Sequence, residues 1–256
     1  MIKSTKRPSF TWRGKTNTQM GVRLLSMPTR FVPARSGSQI EVAGRDGYIW
    51  VDDGSYGSSQ IRIEVVVDDY ETMDSVTDWL SGEGLLIFSD DPERAWKARI
   101  IKEINVTPKT ARLTAQMFTI SFDAQPYRYM YPELPAINVS NGSNVNNIGT
   151  MSARPKITVR PIRYPEAGAS FQLIVGEYVI YATNLKETAV IDCEMQEVYS
   201  TGDVPMLLNT FFDMDEFPVL KSGYNPIIWQ ALDEEDTPDS EKTEISVSIT
   251  RPWRFL

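Results

Sequence analysis

The sequence of 256 residues contains no histidine and a single cysteine. Without imidazole there is no Ser-His or Cys-His nucleophile pair, no histidine general base and no histidine-ligated zinc or haem, which closes the commonest hydrolase and metalloenzyme schemes. Cys193, alone, forms no internal disulfide, so covalent bridging contributes nothing to this fold. Long hydrophobic runs are also missing: Leu85-Leu86-Ile87-Phe88 falls far short of the roughly 18 apolar residues that a membrane-spanning helix needs. Lys3, Lys6 and Arg7 are followed by no apolar run, so the start does not read as a secretory signal, and synthesis in a cytoplasm is expected. What is present is ordinary for a folded chain: 41% hydrophobic and 23% charged residues. The length suits two domains of roughly 100 to 200 residues each.

Charge is unevenly divided. Residues 1–133 carry 17 Lys and Arg against 17 Asp and Glu, whereas residues 134–256 carry 9 against 17 and supply the whole net charge of −8. Affinity for nucleic acid comes mainly from Lys and Arg displacing phosphate counterions. An acidic chain without a basic stripe is therefore expected to let DNA pass without gripping it.

The dominant rhythm has period two. Phe10-Thr11-Trp12 alternates and is stopped by Gly14. Ile40 and Val42, then Tyr48 to Val51, then Ile61, Ile63, Val65 and Val67 predict successive antiparallel strands, separated by turns at Gly44–Gly47 and at Asp52-Asp53-Gly54. Met73, Val76, Trp79 and Leu80 instead form a helical stripe within 70–82, with Thr72 as the expected N-cap and Gly82 as the stop. Strand character returns at Leu85–Phe88 and Ala95–Ile101. In the next strand the apolar phase changes from Leu113, Ala115, Met117 to Phe118, Ile120, Phe122, which predicts a bulge and a curved or barrel-like sheet. The Pro- and Asn-rich stretch 123–150 reads as irregular and as the domain boundary. Beyond it come short strands at 156–159, 169–175, 178–181, 190–191 and 245–249, the spacing of a jelly-roll sandwich. The acidic run Asp233-Glu234-Glu235-Asp236 reads as a solvated loop.

Candidate chemistry is sparse. Asp52-Asp53, Asp68-Asp69, Asp90-Asp91 and Asp213-Met214-Asp215-Glu216 could make a glycosidase pair or a hard-cation site only if two carboxylates converged. Adjacent Asp residues in turns more often serve the local backbone. No phosphate loop and no strand-glycine-helix fingerprint is present, so no nucleotide, metal or other cofactor is expected. The tryptophans at 12, 50, 79, 96, 229 and 253 could stack on sugars, yet large aromatics in strands usually fill cores.

Five landmarks occur in one order: Phe10-Thr11-Trp12-Arg13-Gly14; Ala43-Gly44-Arg45-Asp46-Gly47; Asp78-Trp79-Leu80-Ser81-Gly82-Glu83-Gly84; Phe88-Ser89-Asp90-Asp91-Pro92; and Ser121-Phe122-Asp123-Ala124-Gln125-Pro126-Tyr127. The second half adds Asn147-Ile148-Gly149-Thr150 with Ala153-Arg154-Pro155, then Val190-Ile191-Asp192, Phe217-Pro218, Asn225-Pro226-Ile227-Ile228-Trp229 and Arg251-Pro252-Trp253-Arg254. In this order and spacing the chain resembles the distal tail proteins of bacteriophages with long, non-contractile tails.

The resemblance implies a mostly β protein of two domains. Residues 1–133 would be a split-barrel-like sheet with one helix, closing into a homohexameric ring, and residues 134–256 a galectin-like sandwich. It implies a structural hub, not an enzyme, at the distal end of the tail in the virion. Its expected partners are further copies of itself, the tail-tube protein, the tail-tip hub and the tape-measure protein, with receptor-binding proteins as a further candidate. DNA would pass through the ring, and no membrane contact is implied. No long insertion stands in the second half, where elaborated members carry sugar-binding modules. A ring needs two complementary faces on each copy, and Trp12 with Gly44, Arg45, Asp46 and Gly47 is the candidate interface. The arm Met1–Pro8 and the segment Met27–Ser38 are further contributors. The alternative reading is a carbohydrate-binding module using exposed aromatics of the second domain.

Overall fold

The computed structural model describes residues 7–29, 31–105, 115–202, 204–233 and 242–256. It divides into two compact units, Met1–Pro132 with Leu256, and Glu133–Phe255. Both are built almost wholly of antiparallel strands.

The first unit contains β1 (Phe10–Trp12), β2 (Lys15–Thr16), β3 (Val22–Leu24), β4 (Arg35–Glu41), β5 (Tyr48–Tyr56), β6 (Ser59–Val67), α1 (Met73–Leu80), β7 (Glu83–Phe88), β8 (Arg94–Ile100) and β9 (Gln116–Met130). Seven of these strands form one sheet in the order β2-β1-β7-β8-β9-β6-β3, and β4 and β5 pair separately. The β1–β2 connection is a two-residue loop with Arg13 and Gly14 both at positive φ, 46° and 78°, the primed turn whose twist matches antiparallel strands. Ile61, Ile63, Val65 and Val67 of β6 point inward as their alternation requires, and meet Phe118, Ile120, Phe122 and Ala124 of β9. α1 closes this core with Met73, Val76, Trp79 and Leu80, each contributing roughly 1.5–3 kcal/mol as an upper estimate. The Trp79 indole N–H donates to the Trp12 carbonyl at 2.9 Å, which ties helix to sheet.

Three local expectations are corrected. Thr72 makes no side-chain cap: it is helical itself, and its hydroxyl donates back to the Asp69 carbonyl, while Asp69 Oδ1 accepts the Glu71 N–H. Asp52-Asp53-Gly54 is not a turn but lies inside β5, with Gly54 at φ 73°. Leu113 lies outside the described residues, and among those described the phase change expected near Met117 is absent, because Met117 points to solvent and the β6–β9 register runs unbroken from Ser59↔Ala124 to Val67↔Gln116. The irregularity lies on the other side of β9, between Trp96 and Ala98 of β8.

The second unit contains β10 (Ile137–Val139), β11 (Ser143–Asn147), β12 (Lys156–Arg163), β13 (Ala169–Val175), β14 (Tyr178–Leu185), β15 (Ala189–Asp192), β16 (Glu197–Ser200), β17 (Phe212–Asp213), β18 (Gly223–Ala231) and β19 (Glu244–Ile249). They form two five-stranded sheets, β10-β19-β12-β15-β16 and β11-β18-β13-β14-β17. Alternate residues such as Phe171, Leu173 and Val175, or Ile245, Val247 and Ile249, are buried, as in a β-sandwich whose two sheets pack face to face.

The stretch 123–150 is far more regular than its composition suggests. β9 passes through Pro126, and two strands sit among the asparagines. Asn side chains act here as surrogate backbone: Asn141 exchanges hydrogen bonds with the N–H and C=O of Trp229 at 2.8 and 2.7 Å. Asn147 accepts from the Gly149 N–H and donates to the carbonyls of Met151 and Leu220.

Candidate docking surface

The pair β4–β5 is a separate two-stranded sheet, an arm outside the sheet that holds β1, β7, β8 and β9. Its register is Glu41↔Tyr48, Ile40↔Ile49, Gln39↔Trp50, Ser38↔Val51 and Gly37↔Asp52. Alternation therefore places Ile40, Ile49 and Val51 on one face and Tyr48 and Trp50 on the other, and all five are exposed. An isolated two-stranded hairpin is marginal in water, and here both faces carry large apolar side chains. The arm is anchored at its base, where Tyr56 packs edge-on against Tyr127 with centroids 5.9 Å apart. Arg35 lies over the Tyr56 ring and pairs with Asp52 at 3.4 Å. Gly37 is required for close packing: a Cβ there would come within 2.6 Å of the Trp50 indole and 2.4 Å of the Val51 carbonyl oxygen.

At the tip, Gly44 and Gly47 adopt φ of 80° and 81°, and the Arg45 N–H closes the turn on the Val42 carbonyl at 3.1 Å. Arg45 and Asp46 are exposed and have no ion-pair partner among the described residues. The four residues 44–47 thus occupy an accessible surface.

Trp12 does not join them. It is fully buried, with its ring 4.9 Å from that of Phe122, and a side chain without solvent contact has no surface to offer another copy. Of the flanking candidates, residues 1–6 lie outside the described residues, while Met27 and Phe31 pack against the core of their own unit. Sequence reasoning missed the exposed faces of Tyr48-Ile49-Trp50-Val51. Its signal was four consecutive apolar residues bounded by turns, a pattern that fits a strand covered on both faces.

In three of the candidate pairs at least one carboxylate does structural work. Asp68 pairs with Arg23 at 2.7 Å, Asp91 with Arg128 at 2.7 Å, and Asp52 Oδ1 accepts the Gly54 N–H. The acidic run after Asp233 lies outside the described residues. Asp192 is wholly buried: burial raises its pKa, but the bond from Lys156 and the N–H groups of Met195 and Glu194 outweigh that and hold the carboxyl below its ordinary value. Burial pushes the neighbouring Cys193 thiol up to about 12, which makes it inert. Among the described residues no three His, Cys, Asp or Glu side chains gather as metal ligands. Of the tryptophans weighed as sugar platforms, Trp12, Trp79, Trp96 and Trp253 are buried.

No protein-family model matches the chain, and no curated protein does. Solved structures do. The crystal structure of SPP1 Dit (gp 19.1), described as a paradigm of the hub adsorption apparatus in phages infecting Gram-positive hosts, superposes with a TM-score of 0.67 at 14% identity, covering 98% of this chain and all of the other. The fold is that of a phage distal tail protein. Chains of the phage p2 baseplate in its activated conformation, with strontium and with calcium, match this chain more loosely. Their TM-scores are 0.51 and 0.50 at 10% and 11% identity, again over full length. At such identities the likeness is one of fold.

Proposed function

We propose that this chain is a structural hub of a phage tail tip, in which the unit of residues 1–133 closes into a hexameric ring and the sandwich of residues 134–256 projects from it. The ring joins the tail tube on one side to the tail-tip or baseplate hub on the other. It encloses the path of the tape-measure protein and then of DNA. One observation carries this reading: an arm with large, half-exposed apolar side chains on both faces, on a distal tail fold. Heterologous association covers such an arm and, when the rotation closes, makes a ring. The balanced charge of residues 1–133 spares six copies mutual repulsion. Gly44, Arg45, Asp46 and Gly47 belong to the interface because they form the tip of that arm.

Assembly through surface fit asks no side chain to make or break a bond. Negative-stain microscopy of the purified full chain tests the reading. Six-fold rings with an axial hole are expected, and they should stack on tail-tube rings when those are added. Compact single particles at every concentration, alone and with tail proteins, would contradict it.

A further inference from the structure

The outer face of the first unit's sheet holds a cleft of about 600 Å³ at the base of the arm. Ser58, in the connection from β5 to β6, forms one wall, and Glu83, Lys97, Arg99 and Asp123 supply the charge. The strand register sets Glu83 beside Arg99 and Arg99 beside Asp123, so signs alternate across three strands. Arg99 Nε lies 3.4 Å from Asp123 Oδ2, and Lys97 rests over the Tyr129 ring. Glu83 has no ion-pair partner among the described residues. Volume and mixed polarity suit a short peptide turn carrying both signs better than an apolar ligand.

We infer that the tip of the arm, with Arg45 and Asp46, docks into this cleft on the next copy of the chain. The inference rests on the ring reading and names the contact that builds the ring. Two features of the chain point to a second copy as the occupant. First, the charges match: Arg45 finds Glu83 and Asp123, and Asp46 finds Lys97 and Arg99, each tip charge being otherwise unpaired among the described residues. Second, cleft and tip lie at opposite ends of one arm, so each copy offers a tip and receives one, and the contact propagates head to tail. β5 alone, nine residues, spans about 30 Å at roughly 3.3 Å per residue. Equivalent clefts on neighbouring copies are then about 30 Å apart, and in a six-fold ring that spacing equals the radius of the circle they define. The tip does not line the cleft of its own chain.

Disulfide trapping tests the contact in the full chain. The double variant Asp46→Cys with Lys97→Cys is oxidised and run on a non-reducing gel beside each single variant. Both positions are exposed, and native Cys193 is buried and does not compete. The double variant should give a reducible ladder ending at six copies, and the single variants nothing beyond collisional dimers. No ladder while light scattering still shows hexamers would overturn the docking and leave the ring reading standing. No ladder and a monomeric mass would overturn both. Charge exchange gives an independent readout. Arg45→Glu and Glu83→Arg should each weaken association at least tenfold, and the two together should recover to within about threefold of the parent. A double variant no better than the worse single one would overturn the pairing.

Discussion

Truncating Trp50 to alanine should dismantle the assembly and leave the fold nearly untouched. Trp50 keeps 45% of its surface exposed in the isolated chain. An aromatic of this size buries at most about 250 Å², so roughly 100 Å² remains for a partner to cover, and at about 25 cal/mol per Å² that is worth about 2.5 kcal/mol. Each contact in the ring should then weaken by about 60-fold. Against this, the part of the indole already covered lies over Gly37 within the arm, outside the core built around Trp12, Phe122 and Trp79. Its loss should cost the unit about 1 kcal/mol or less. Sedimentation velocity across a dilution series reads the first quantity, and thermal unfolding the second. An unchanged dilution profile would refute the reasoning, because the arm's aromatic face would then be idle. So would a large fall in melting temperature, because Trp50 would then belong to the core.

Three further outcomes are expected. Gly168→Ala should destabilise the sandwich by about 3 kcal/mol or more in calorimetry, because φ is +121° and the new Cβ would sit 2.4 Å from the Asn184 carbonyl carbon; a change below about 1 kcal/mol would show that this turn yields freely. Cys193 should resist a thiol reagent at pH 8 in the folded chain and react on unfolding, since its thiol is buried with a pKa pushed up to about 12; prompt native labelling would contradict that burial. The Asp192 pKa is lowered on folding, so its contribution to stability is present above the unfolded carboxyl value of about 3.9 and is lost as pH falls through the folded one. Denaturant titrations should therefore show Asp192→Asn less stable than the parent at pH 7, with the gap narrowing below about pH 4; a gap independent of pH would mean that the Lys156 bond at 2.8 Å contributes nothing.

Much of the fold was legible because burial imposes a period. The stripe Met73, Val76, Trp79, Leu80 reads as a helix, and Ile61 to Val67 as a half-buried strand, since in each only one face meets the core. Legibility failed where a side chain replaces backbone: the asparagines at 141 and 147 look like loop residues until their amides are seen completing strand hydrogen bonds. It failed again at Met117, because apolar character alone does not choose a face; the nine-residue register with β6 does. At the candidate site, Gly44 to Gly47 were readable from turn chemistry, whereas Trp12 was misplaced because an aromatic beside a glycine turn has the same local pattern in a core as at an interface. The exposure of Trp50 and Ile49 could not be read at all, since a strand apolar on both faces looks alike whether its cover comes from the same chain or from another.

The central claim is that this chain works by covering its arm with another copy of itself. Light scattering measures that most directly, on the full chain and on a variant in which residues 38–51 are replaced by a two-residue Asn-Gly turn. At 29.0 kDa per copy, the account predicts about 174 kDa for the parent, six copies, and a folded monomer for the variant. Equal masses for the two proteins, whether both hexameric or both monomeric, would contradict it.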